Sequence, residues 1–221
     1  MPDIHEPPDH EMYSWLDRPA SPIGDGSLIF VKSLPADEVL RRLGADPAAA
    51  QLLSGEERAN RGDAPELTSV HSLGGTWTLA FEPGGFDAFT EKPVRRLSVG
   101  TEVVMFNRDI LAHCRFRHIV DGEPWTYFDA VAPDDRYGRH PDRLAEAMRR
   151  IGLDPDYDFN DYDDEDDNLI TGEEPPHDGY WSSMTMALVE TVTGLRLDPH
   201  ALAPPAPTVN LPLTKAHRLS V

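Results

Sequence analysis

Carboxylates are the residues of this chain whose type and spacing could do chemistry. Asp154, Asp156, Asp158, Asp161, Asp163, Asp164, Glu165, Asp166, Asp167, Glu173, Glu174 and Asp178 fall in one stretch with no Lys or Arg among them. The stretch carries −12 of a formal charge of −19, which leaves −7 for the other 196 residues. Such a potential repels nucleic acid, anionic lipid and ATP-like ligands, and it draws cations and basic protein surfaces. Asp156-x-Asp158-x-Asn160 matches positions one, three and five of a calcium loop, because hard cations want several oxygen ligands on a flexible turn. Asp161 stands where that loop needs glycine for its sharp turn, and Asp167 where it needs a bidentate Glu. A solvated acid loop is the preferred reading. A Ca2+ site on Asp156, Asp158, Asn160 and Asp167 is the alternative, and no other cofactor is expected.

Aromatic residues interleave the acids. Tyr157, Phe159 and Tyr162 could anchor on a basic groove while the charges speed the encounter; equally, they could fold back and pin the loop. The candidate partner-binding set is Asp156, Tyr157, Asp158, Phe159, Asp161, Tyr162, Asp163, Asp164, Glu165, Asp166 and Asp167. No catalytic residue is assigned. The chain has no Gly-x-Ser-x-Gly elbow, and Gly74-Gly75 and Gly84-Gly85 read as turns rather than phosphate loops. The nine His residues include no His-x-His, His-x₃-His or His-Glu-x₂-His spacing, so zinc has little support. Cys114 is the single cysteine. It lies in an apolar alternation, which suits an inert buried thiol. Arg115 and Arg117 with His113 form a basic stripe, expected to pair with the acid tract or with Asp129, Asp134 and Asp135.

These residues must be positioned by a folded core. Hydrophobic residues make up 39 % of 221, and prolines number 21, which together suggest one domain with long, proline-punctuated loops. Leu28 to Val31 reads as a buried strand. Thr68 to Ser72 and Thr76 to Glu82 flank Gly74-Gly75 as a hairpin. Thr101 to Asn107 is apolar on both faces, as a central strand would be. His113 to Val120 and Pro124 to Val131 flank Asp121-Gly122, a strong hairpin turn. Helices are expected over 36–44, 141–151 and 180–193, closed by Gly44, Gly152 and Gly194. A further short helix should open at Pro47, and Phe86 to Leu97 should be helical in part. Pro133 to Gly138 reads as a loop.

The expected architecture is α+β: a single antiparallel sheet of about five strands packed by three to four helices. Residues 1–24 form an irregular arm and 25–198 the domain. The acidic loop 154–178 is inserted before the last helix, and 199–221 is a Pro-rich tail. No apolar run reaches the roughly 18 residues of a membrane span, and the polar amino terminus does not suit a secretory signal, so a cytoplasmic protein is expected.

Several short motifs resemble an actinobacterial family known as domain of unknown function 6461. They are Leu43-Gly44, Gly75-Thr-Trp77 with Phe81-Glu82-Pro83, Leu97-Ser98 with Gly100-Thr101, and Asp121-Gly122. Phe128-Asp129, Arg136-Tyr137-Gly138 and Pro141-Asp142-Arg143-Leu144 leading to Gly152-Leu153-Asp154 complete the set. The resemblance covers roughly residues 28 to 154, one ordinary domain. Tyr137 stands where the family pattern has Trp. The resemblance implies a fold unit and an actinobacterial source, and it carries no activity.

Composition therefore points to a non-enzymatic acidic protein-binding module, of the immunity or inhibitor kind. Its partner would be a basic protein surface, such as a toxin or a nucleic-acid-binding protein, with no direct binding to nucleic acid or membrane. The alternatives are a nucleic-acid mimic, whose carboxylates replace backbone phosphates on a basic groove, and a small enzyme or divalent-ion binder.

Overall fold

Leu28-Ile-Phe-Val31 is apolar on both faces, and it forms the middle of the sheet. The computed structural model describes residues 4–18, 21–61, 67–84, 91–109, 111, 113–157 and 180–211. The strands are β1 (Gly26–Lys32), β2 (Gln51–Leu53), β3 (Leu67–Ser72), β4 (Trp77–Pro83), β5 (Glu102–Arg108), β6 (Cys114–Val120), β7 (Glu123–Asp129), β8 (Ala132–Tyr137) and β9 (Ala206–Asn210). They make one nine-stranded sheet in the order β2-β9-β3-β4-β1-β5-β6-β7-β8. Every pairing is antiparallel.

The described helices are α1 (Ala36–Leu43), α2 (Gly55–Ala59), α3 (Glu91–Ser98), α4 (Ala145–Arg150) and α5 (Trp181–Thr193). Three 3-10 segments join them, at His10–Leu16, Pro47–Ala49 and Pro141–Leu144. The expected sheet of about five strands is thereby corrected to nine, and its three to four helices to five among the described residues.

Three of the nine strands, β2, β8 and β9, fall in segments not read as strands. Pro133, Asp134 and Asp135 favour a loop, yet β8 is the last strand of the sheet, where proline and exposed charge are tolerated. The helix expected from Pro47 stops after one 3-10 turn, and Ala50 turns extended (φ −67, ψ 136); β2 follows. Residues 206–210, expected in a tail, fill the gap between β2 and β3. Pro207 is accommodated by stagger. It lies opposite Leu52, whereas pairing with β3 runs from Thr208 to Asn210, so the missing N–H falls outside the β3 ladder.

Alternation along the strands divides the core in two. Leu28, Phe30, Leu79, Val104, Phe106, Phe116 and Phe128 face α5, α4 and the 3-10 segment His10–Leu16. Ile29, Val31, Val70, Ala80, Val103 and Met105 face α1 and α3. Strands buried on both sides must be apolar throughout, which explains the unbroken run in β1. α5 carries no charge except Glu190, and 11 of its 13 residues are buried, as expected of a helix enclosed in a core. Phe116 and Phe128 stack across β6 and β7 with centroids 5.1 Å apart. The hairpin between them turns at Asp121 (φ 49) and Gly122 (φ 78), the paired positive φ values of a type I′ turn. Among the described residues no helix is long and apolar enough to cross a membrane.

Candidate functional site

The start of the acid tract, which follows α4, is tied back to β8 by Arg136. Arg136 leaves that strand with only 13 % of its side chain exposed and meets Asp142 at 2.8 Å and Asp156 at 3.3 Å. It also donates to the carbonyls of Pro133 and Pro155. Arg149, in the last turn of α4, reaches the other oxygen of Asp156 at 2.9 Å. The Asp154 carboxylate accepts from the Asp156 amide at 3.0 Å, a local turn that aims Asp156 at the two guanidinium groups. Arg149 first, then Arg136, hold the Asp156 carboxyl below its usual range. Tyr157 follows half-buried. Of the sequence-derived binding set, Asp156 and Tyr157 are thus placed. Asp158, Phe159, Asp161, Tyr162, Asp163, Asp164, Glu165, Asp166 and Asp167 lie outside the described residues, as does Asn160. Among the described residues no group of three or more His, Cys, Asp or Glu could hold a metal ion.

A second polar feature crosses the sheet on the α1 side. Glu82, Ser27, Asn107, Arg115 and Asp129 are successive register partners on β4, β1, β5, β6 and β7. Asn107 donates to the Ser27 hydroxyl at 3.0 Å. Arg115 pairs with Asp109 at 2.9 Å and with Asp129 at 3.5 Å. Asp129 also meets His113 at 2.7 Å and accepts from the amides of Cys114 and Val131. Glu82, Ser27 and Asn107 are buried. The neighbouring row, Ala80, Ile29, Met105, Arg117 and Tyr127, returns to apolar character in its centre. This polar row left no trace in the sequence, because its members sit on separate strands and only the register aligns them. The expected pairing of Arg115 with Asp129 is present; Asp134 and Asp135 stand apart from it.

The opposite face holds two more buried groups. Glu102 bridges Lys32 at 2.8 Å and His118 Nε2 at 2.9 Å. Burial pushes the Glu102 carboxyl up, but the hydrogen bonds from His118 and Lys32 outweigh it and hold the group below its usual range. Burial lowers His118, so the neutral ring donates from Nε2 to an ionised carboxylate. Its Nδ1 has no hydrogen-bond partner among the described residues. Ser69 Oγ and His71 Nε2 lie 2.9 Å apart, a nucleophile-to-base distance. Both are buried, and burial, aided by Arg58, lowers His71 to about 4. Among the described residues no carboxylate orients that imidazole. Such a pair is built as a satisfied core contact. Cys114 is likewise inert: burial pushes its thiol up to about 12, and Sγ lies 3.3 Å from the Ser182 hydroxyl.

These features define an α+β protein with one antiparallel sheet covered on both sides and an acid tract rooted on its last strand. The chain belongs to a family of unknown function, domain of unknown function 6461, whose profile matches residues 9–207. That span is longer than the motifs suggested. It takes in the 3-10 segment at His10, the acid tract, α5 and the start of β9. No curated protein and no solved structure matches the chain.

Proposed function

We propose that the chain is a non-enzymatic protein-binding module, of the immunity or inhibitor kind, that engages a basic partner through its acid tract. The observation that carries the reading is the charge of residues 154–178, twelve carboxylates without one Lys or Arg. The geometry around the root of the tract supports it. Arg136, Arg149 and Arg150 are already engaged by Asp142, Asp156 and Glu146. Those cations are partly spent before the ten later acids begin. Surface pairs of this kind contribute about 0–1 kcal/mol each, so their purpose is better seen as fixing where the tract starts. Concentrated negative potential speeds association with a cationic surface and rejects acidic competitors. A cytoplasmic location is part of the same reading, since one buried free thiol suits a reducing compartment.

The test is affinity capture from the native host with the full chain and with a version lacking residues 154–178. Loss of the captured basic proteins on deletion supports the reading. An unchanged set of partners removes it.

A further inference from the structure

We propose that β8 is a docking edge, to which an extended cationic segment of a partner protein adds as a tenth strand. The inference rests on the binding reading above and gives it a place and a mode. β8 ends the sheet and, among the described strands, pairs only with β7, with a register shift between Tyr127 and Asp129. Among the described residues no strand lies on its outer side. A sheet edge of this kind offers a row of backbone donors and acceptors to an incoming chain, and main-chain hydrogen bonds then supply affinity while side chains select the partner.

The side chains of β8 state which partner is selected. Asp134 and Asp135 are exposed, and neither carboxylate is in an ion pair among the described residues. Arg136, the one cation of the strand, is turned away and spent on Asp142 and Asp156. The same residue ties the root of the acid tract to this strand through the Pro155 carbonyl. The open edge and Asp156, one of the first acids of the tract, are therefore joined through one side chain. A second copy of the chain is a poor occupant, because two such edges would oppose four carboxylates under a net charge of −19 on each molecule. The other end of the sheet is unlike this one. β2 has three residues, Arg58 donates to its Leu53 carbonyl, and Arg61 holds Gln51, so a cationic segment meets like charge there.

The test uses the full chain and a labelled peptide of roughly twelve residues alternating lysine with valine, long enough for one strand. Titration by fluorescence anisotropy is combined with amide hydrogen exchange. Saturating peptide should protect amides of residues 134–137, an observation that needs no variant. The double substitution Asp134→Lys, Asp135→Lys should weaken binding about tenfold or more with the melting temperature unchanged. Replacing the ten acids of 158–178 by their amides should slow association yet preserve the protection at saturation. A peptide that binds while residues 134–137 exchange as before, and binds the double variant equally, overturns the edge and leaves the tract reading standing. Loss of binding in the double variant with none in the amide variant leaves the edge standing and removes the tract. A peptide that does not bind at all overturns the edge.

Discussion

Acid should loosen this protein, and His71 gives the clearest reason. An imidazole ordinarily titrates near 6.5, whereas the folded chain holds His71 at about 4 through burial and the nearby Arg58. Between those values the unfolded chain binds a proton that the folded chain refuses. Stability therefore falls as pH drops from 6.5 towards 4, by up to about 3 kcal/mol for this one group. His118 is lowered too and acts in the same direction. Glu102 is held down, so its contribution is present above its unfolded value and lost as pH falls through the folded one. Urea unfolding at a series of pH values reads the total. The wild-type midpoint should decline below pH 6.5, and His71→Gln should flatten part of that decline; a profile level from 7 to 4.5 would refute the argument. None of these three side chains stood out in the sequence as buried ionisable groups. Asp156 and Tyr157 could be singled out because the acids and aromatics around them are local in sequence. Glu82, Ser27 and Asn107 are far apart in the chain and become neighbours only through strand register, which no local pattern encodes.

Elements were legible wherever turn chemistry and hydrophobic pattern agreed. Asp121-Gly122 demanded a tight hairpin and made one, and Gly44 and Gly194 closed α1 and α5 in left-handed conformation. Short edge strands were hidden for a physical reason. β2 has too few residues to show a period, and β8 carries Pro133, Asp134 and Asp135, residue types depleted in strands, which disguise it. β9 was hidden by its own prolines, because Pro205 and Pro207 suggest a tail unless stagger absorbs them. Yet β9 is structurally central to its half of the sheet, joining β2 to β3 and burying Ala206 and Val209. Ending the chain after Pro205 should therefore cost far more than trimming a tail. β2 would lose its partner and β3 would become an exposed edge. Loss of Val209 and its neighbours alone removes about 2–4 kcal/mol of burial. Differential scanning calorimetry should show a large drop in melting temperature, with aggregation through β3. A chain ended after Leu211 keeps β9 and should unfold at a clearly higher temperature than one ended after Pro205. Equal behaviour of the two truncations would mean that β9 contributes little.

At the scale of the whole molecule two electrostatic terms compete. Ion pairs such as Arg41 and Arg42 with Glu38, Arg139 with Glu123 and Arg196 with Glu190 favour the fold. The first three lie at the surface and contribute about 0–1 kcal/mol each that salt weakens, whereas the Glu190 side chain is only 13 % exposed. Against them stands an excess of 39 acids over 20 bases. Repulsion among the surplus carboxylates acts across the compact state and is greater when the chain is folded than when it is extended. Salt screens both terms, with a Debye length of about 10 Å at 0.1 M and about 3 Å at 1 M. The pairs lie within 4 Å and survive screening better than the longer-range repulsion. Added sodium chloride should therefore raise the melting temperature. The rise should be steepest at low salt, where the screening length still exceeds the spacing of the charges. Replacing the ten acids of residues 158–178 by amides removes about half of the net charge. That variant should melt higher than the wild type in low salt and should lose most of its salt response, so that the two curves converge near 1 M. A melting temperature that falls with salt would instead show that the ion pairs dominate. The charge excess would then have to be balanced within the fold and could not be the field through which a basic partner is drawn in.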